Sequence, residues 1–302
     1  WHKHISVGID MSTITSLISS GGGGGSNVND VRFINNSDNL ITTESGEVWL
    51  KGGVTETDVA TYPDATSELA YSGVSFSLSA QTTNARGITW DGSHFFVVAQ
   101  TANKVYKYTA AGVYTGTEYA LSIGSLPTGI TWDGTYFWVV TTGNNKVFKY
   151  NASFVYQSIE FNIATRTTDP AGITHDGTHL WVIGSNANLS KWTTSGTDTG
   201  VNFDVSTHAN GATSVAWDGI YLWIIGYVLD TAFQYTTAGV YTGTSINAAS
   251  QETNPRGLTF AGSDLWVSGL TADSAFKYAP QIGIVARNLA GSGEGHNYVR
   301  IK

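Results

Sequence analysis

The chain contains no cysteine. Disulfide frameworks, thiolate zinc sites, Cys-ligated iron–sulfur clusters and cysteine nucleophiles are thereby excluded. The compartment stays open, because a large core can hold a disulfide-free protein together outside the cell. Methionine occurs once and proline five times. Only 13% of residues are charged, with a formal net charge of −8. No basic face is available, which argues against nucleic acid or an anionic membrane as partner. No apolar run approaches the roughly 18–20 residues that cross a bilayer. The longest, such as Tyr221 to Tyr227, have the length of a strand. The Ala, Leu, Glu and Lys that long helices favour are not dominant. The first residue is Trp1, so the sequence reads as a processed product or part of a longer chain.

What is abundant points to β-structure. Aromatics reach 12% and glycines number 35 among 302 residues. The Thr, Val, Tyr, Trp and Ile content suits pleated, half-buried surfaces.

One phrase recurs five times. "GITWDGSHFFVV" starts at Gly87, "GITWDGTYFWVV" at Gly129, "GITHDGTHLWVI" at Gly172, "SVAWDGIYLWII" at Ser214 and "GLTFAGSDLWVS" at Gly257. The fourth residues, Trp90, Trp132, His175, Trp217 and Phe260, are 42 or 43 apart. A second set, Tyr108, Tyr150, Trp192, Tyr235 and Tyr278, keeps the same period. A period of about 40–45 residues with several short strands per unit marks a propeller blade.

Each unit reads as four strands. The first and second are joined at an Asp-Gly dipeptide, both residues of which tolerate positive φ in tight hairpins. The second strand is continuously apolar, as expected when both faces are covered. The third alternates, as in Tyr106-Lys107-Tyr108, which fits a strand further out. The fourth is variable: Tyr119-Ala120-Leu121, then Ile159 to Ile163, Val201 to Val205, and Ser245-Ile246. The last unit has no fourth strand, but an orphan, Val74-Ser75-Phe76-Ser77-Leu78, precedes the first. An all-β, five-bladed β-propeller follows, closed by that N-terminal strand slotting beside the final three. The alternative is six blades, with 45–53 and 282–288 forming a degenerate blade. The expected organisation is an N-terminal anchor and Gly-rich linker at 1–30, a β-rich connector at 31–70, the propeller at 71–280 and a C-terminal tail at 281–302.

Catalytic sets are not evident. His175 and His179 flank a turn in "HDGTH", where other units carry Trp90, Trp132, His94 or Tyr136. They read as substitutions at a hairpin rather than as a ligand pair. His2 and His4 have no further ligands nearby, and a structural metal wants about four. There is no nucleophile elbow, and Gly21 to Gly25 lack the Lys and helix of a phosphate loop. No enzyme activity, metal or cofactor is expected.

A binding face is easier to place. The loops into the first strands and those between second and third strands share one face of a propeller, around the channel mouth. They are rich in Asn, Thr and Ser, with Arg86, Arg166 and Arg256 added. Amide, hydroxyl and guanidinium groups suit polyhydroxylated surfaces such as glycans. Asn84, Arg86, Asn144, Asn186, Asn254 and Arg256 are the expected ligand-binding residues, because they recur at similar loop positions. The face carrying the Asp-Gly turns competes with it.

The flanks carry a resemblance. "GEVWLKGGVTETDVATYPDAT", residues 46–66, resembles the lead-in of bacteriophage tail-fibre proteins, where such segments precede propeller-like repeats. The ending "HNYVRIK" is similar to the short Asn-Tyr-x-Arg-x-Lys close of such proteins. The repeated units resemble propeller repeats of the streptogramin-lyase and NHL-like kind. The resemblance implies a virion tail-fibre or receptor-binding protein that attaches to the bacterial surface, through a glycan or protein receptor. It further implies other virion tail proteins as partners and a homotrimer. The alternative is a secreted, extracellular lectin-like or lyase-like propeller.

Overall fold

The computed structural model describes residues 69–122 and 125–280, and the backbone of four strands outside them. Those four, Leu40–Thr42, Val48–Leu50, Asn297–Ile301 and Val285–Asn288, pair in that order as one antiparallel sheet. The expected strands "NLITT", "GEVWLKGG" and Tyr298 to Ile301 fall within it, whereas the N-terminal anchor and "DVRFINN" lie outside the described residues. The sheet belongs to a unit distinct from Glu68–Pro280.

Glu68–Pro280 is a five-bladed propeller of four-stranded antiparallel blades. Blade 1 comprises Ala85–Trp90, His94–Ala99, Lys104–Thr109 and Tyr114–Ala120. Blade 2 comprises Pro127–Trp132, Phe137–Thr141, Lys146–Tyr150 and Tyr156–Asn162. Blade 3 runs through Pro170–His175, His179–Gly184, Asn188–Thr193 and Asp198–Asp204. Blade 4 runs through Ala212–Trp217, Leu222–Gly226, Thr231–Tyr235 and Tyr241–Asn247. Blade 5 takes Pro255–Ala261, Asp264–Gly269 and Ser274–Pro280 from the end of the propeller and Leu69–Ser77 from its beginning. In that closure Phe276 faces Ser75 and Tyr278 faces Tyr71. First strands of successive blades touch all the way round, including blade 5 against blade 1. The six-bladed alternative is therefore wrong: the circle is complete at five, and Val48–Leu50 and Val285–Asn288 pair in the separate sheet instead.

Side-chain size rises with distance from the axis, as a radial stack of sheets requires. Blades approach most closely at the first strand, where Gly87, Gly129, Gly172 and Gly257 stand. A Cβ on Gly87 would lie 2.9 Å from Gly129 Cα, and one on Gly172 would lie 2.6 Å from Ser214 Cα. Ser214 is the one side chain at this level, and its hydroxyl accepts the Leu258 N–H at 3.0 Å. Further out, Val97, Val139, Val182, Ile224 and Val267 fill the second strands, all buried. In the third strand the wider gap takes Tyr108, Tyr150, Trp192, Tyr235 and Tyr278. Each apolar cluster joins two neighbouring blades, such as Phe96 and Val98 of blade 1 with Ile130, Phe137 and Tyr150 of blade 2. Lys107, Lys149 and Lys191, which alternate with these aromatics, reach over the second-strand rings of Phe96, Trp138 and Trp181 at 5.0–5.5 Å from the centroids.

The hairpin turns differ from the expected one. Gly92, not Asp91, takes positive φ, 99°. Asp91 is engaged elsewhere: its Oδ1 accepts the Ser93 and His94 N–H groups, both at 2.7 Å. In blades 2, 3 and 4 the second carboxylate oxygen also accepts an indole N–H, Trp138 to Asp133 at 2.6 Å, Trp181 to Asp176 at 2.7 Å and Trp223 to Asp218 at 2.8 Å.

The outer strands begin several residues earlier than the apolar landmarks at Tyr119 or Val201 suggest. Each carries a register shift against the third strand, with a positive-φ residue nearby: Gly73, Gly116, Ser158, Gly200 or Gly243. Such bulges twist an edge away from pairing with another chain. Each blade then ends on a latch. The carbonyl of a left-handed residue, Asn103, Asn145, Ala187, Asp230 or Asp273, accepts the N–H of Leu121, Ile163, Val205, Ala248 or Leu78 at 2.7–3.0 Å. Asn and Asp adopt this conformation at low cost. The Leu78 latch to Asp273 ties the two ends of the propeller together.

Candidate functional site

The residue just before the axial glycine or serine points into the channel mouth in every blade. In chain order these are Arg86, Thr128, Ala171, Thr213 and Arg256, all lining one cavity of about 220 Å³. Loops between second and third strands add Gln100, Thr142, Ser185 and Tyr227, and Asp169 contributes from blade 3. Both loop classes expected on the binding face thus meet at one opening.

Two cations dominate it. Arg86 and Arg256 come from adjacent blades, 1 and 5. Arg86 Nε donates to Asn84 Oδ1 at 2.9 Å, which aims the remaining guanidinium N–H groups. Burial lowers the Arg86 pKa, the Arg256 charge lowers it further, and Asp169 partly offsets both. Burial also lowers that of Arg256, against Tyr227, Glu252 and Asp169. The Arg256 guanidinium lies 5.2 Å from the Tyr227 ring centroid. Its Nε and the Oδ1 of Asn254, the counterparts of the bonded Arg86–Asn84 atoms, are buried and have no partner.

The other expected residues lie elsewhere. Asn144 sits on an exposed loop tip, its Oδ1 accepting the Thr141 hydroxyl at 2.5 Å. Asn186 is likewise exposed, its Oδ1 accepting the Asn188 N–H at 3.3 Å. Both close their own loops and neither lines the cavity. Arg166 turns away: Nε donates to Asp198 at 2.6 Å and Nη1 to Asn202 at 2.9 Å. Asp169, Ser185 and Tyr227 are not singled out by the sequence reading. Asp169 occupies the loop position of Asn84 and Asn254, so the repeat alignment itself carries that signal.

The opposite face offers less. His175 Nδ1 accepts the Gly177 N–H at 3.3 Å, and His179 lies 4.0 Å from Asp176. Burial pushes the His175 imidazole below its usual value, outweighing the Asp133 and Asp176 charges. Among the described residues no group of three or more His, Asp and Glu converges as a metal site.

The geometry defines a β-propeller with a charged channel mouth. No protein-family model and no curated protein matches the chain. Solved propellers do. A glutaminyl cyclase from Myxococcus xanthus is 14% identical with a TM-score of 0.56, covering 68% of this chain and 93% of that one. Virginiamycin B lyase from Staphylococcus aureus is 22% identical with a TM-score of 0.43, covering 82% of both. A streptogramin B lyase is 19% identical with a TM-score of 0.44, covering 82% of this chain and 81% of that one. At these identities the likeness concerns the fold alone.

Proposed function

We propose that this propeller is the receptor-binding part of a bacteriophage tail fibre, that it is not an enzyme, and that its channel mouth attaches to a bacterial surface glycan. One observation carries the reading: all five blades turn a side chain into a single open cavity whose polar groups are guanidinium, hydroxyl, amide and the one carboxylate of Asp169. These groups hydrogen-bond sugar hydroxyls, and the one hydroxyl–carboxylate pair among them, Ser185 donating to Asp169, has no histidine beside it in the lining. The tail-fibre-like segment 46–66 supports the virion setting. Other tail proteins would hold the flanks, and a trimer would present three mouths, so that weak contacts add up through avidity.

The test is adsorption. Fluorescently labelled chain is applied to a panel of bacteria, untreated and after mild periodate, which cleaves vicinal diols of sugars. Adsorption that periodate abolishes is expected. Adsorption removed by protease but not by periodate would replace the glycan with a protein receptor. No adsorption to any strain, with the chain missing from purified virions by mass spectrometry, overturns the reading.

A further inference from the structure

We propose that Arg86 and Arg256 form a two-guanidinium clamp for an oxyanion, the carboxylate or phosphate of an acidic surface sugar. The inference rests on the glycan-attachment reading and narrows it to one ligand class.

Three observations carry it. First, the two guanidiniums come from adjacent blades and line the same cavity. Each is about half exposed or less and neither forms an ion pair among the described residues. Two like charges held together in a part-buried site are unfavourable unless an anion joins them. Second, the nearby carboxylates offset the two charges only in part and form an ion pair with neither. Asp169 accepts the Ser185 hydroxyl. Glu252, 1% exposed, accepts three backbone N–H groups, those of Asn254, Thr271 and Ala272. Third, the donors are free. A guanidinium carries five N–H groups in a fork that matches a carboxylate or phosphate. Among the described residues only Arg86 Nε has an acceptor, while the buried Arg256 Nε has none.

The remaining ring positions, Thr128, Ala171 and Thr213, are small. They leave room opposite the arginines for a sugar ring. Tyr227, 47% exposed and set against Arg256, gives that ring an aromatic face. Arg166 is the internal control, because its guanidinium is closed by Asp198 and Asn202.

The test uses the full chain on three immobilised probes: a glucuronate-containing oligosaccharide, the same oligosaccharide with carboxyls reduced to alcohols, and a polyol-phosphate oligomer. Retention on at least one anionic probe is expected, falling as salt is raised and absent on the carboxyl-reduced one. Which anionic probe is retained separates a uronate from a phosphate source. Arg86→Gln and Arg256→Gln should each weaken retention about tenfold or more. Arg86→Lys should give a smaller loss, and Arg166→Gln none, with unchanged melting curves as the check on folding. Equal retention of the reduced probe, retention unaffected by either Arg→Gln change, or no retention on either anion overturns the clamp while cell adsorption can still stand. Anion retention without adsorption to any bacterium overturns the attachment reading and leaves the clamp.

Discussion

Replacing Asp133 by Asn exchanges one oxygen for an NH₂ group and isolates one hydrogen bond. Asp133 Oδ1 accepts the Thr135 and Tyr136 N–H groups at 2.8 and 2.7 Å, while Oδ2 accepts the indole N–H of fully buried Trp138 at 2.6 Å. If the oxygen left in the Asp133→Asn variant keeps the backbone donors, its NH₂ meets the indole N–H, donor against donor. Loss of a bond to a charged acceptor and an unsatisfied buried N–H together cost about 2–4 kcal/mol. Blade 1 supplies the control. Asp91 caps the same turn, but the residue five on is Phe96, which has no N–H to offer. Asp91→Asn retains its acceptor for the backbone and should cost about 1 kcal/mol or less. Urea unfolding followed by tryptophan fluorescence should show a midpoint about 1 M lower for Asp133→Asn than for Asp91→Asn, at equal slope. Adding Trp138→Phe should bring the cost of Asp133→Asn down to the blade 1 value, the signature of a coupled pair. Equal costs for the two Asp→Asn changes would refute the argument, because the indole bond would then contribute nothing.

Asp176 extends this to pH. Burial raises its pKa, but the Trp181, His179 and Thr178 donors and the Lys191 charge prevail and hold it below the usual carboxylate value. Its stabilisation is thus complete above the unfolded value, about 3.9, and is lost as pH falls through the lower folded one; melting of Asp176→Asn should fall less steeply with acid over that window. Gly172→Ala places a Cβ 2.6 Å from Ser214 Cα and should lower stability by about 2–3 kcal/mol, whereas Gly92→Ala, with no atom within 4 Å, should cost only its turn strain, a difference that thermal melts resolve. Phe76→Ala empties a closure site between Phe95, Tyr108 and Trp266, and should cost about 3–5 kcal/mol by urea unfolding.

Most of the ring is legible in the sequence, because its inner three strands must satisfy neighbours on both faces. That demand writes glycine at the axis, an unbroken apolar run next to it and aromatics beyond, in a fixed order within each unit. The permuted closure is legible for the same reason: Phe76 and Leu78 are buried at the positions the missing fourth strand would fill. The outer strands are harder to read. At most one residue per outer strand is buried, and none in Tyr114–Ala120, so Tyr114 to Glu118 carry little apolar pattern, and the bulge at Gly116 resets what pattern there is. The turn is misread between Asp and Gly because dipeptide preference says nothing of a tryptophan five residues away. The six expected site residues follow from loop position rather than from distance to the axis, and of them Arg86 and Arg256 line the cavity. Sequence spacing does not separate a residue one step before the axial glycine, such as Arg86, from one on a loop tip, such as Asn144.

That distinction suggests how to find function in a ring of repeats. A departure from the repeat that is buried tends to have a local compensation. Ala261, partly buried, replaces the turn Asp, and Asp264 pairs with Lys277 at 2.6 Å instead. Ser214 replaces an axial glycine and bonds across to Leu258. The departures at the mouth behave differently. Arg86 and Arg256 stand where other blades carry Thr128, Ala171 and Thr213, and nothing in the described chain balances their charge with an ion pair. The Tyr227-Val228-Leu229 tip is exposed where the corresponding loops are polar. Packing has no use for an uncompensated departure beside an open cavity, and a partner outside the chain does. Under the proposed function, the binding side is the one on which repetition fails without local repair.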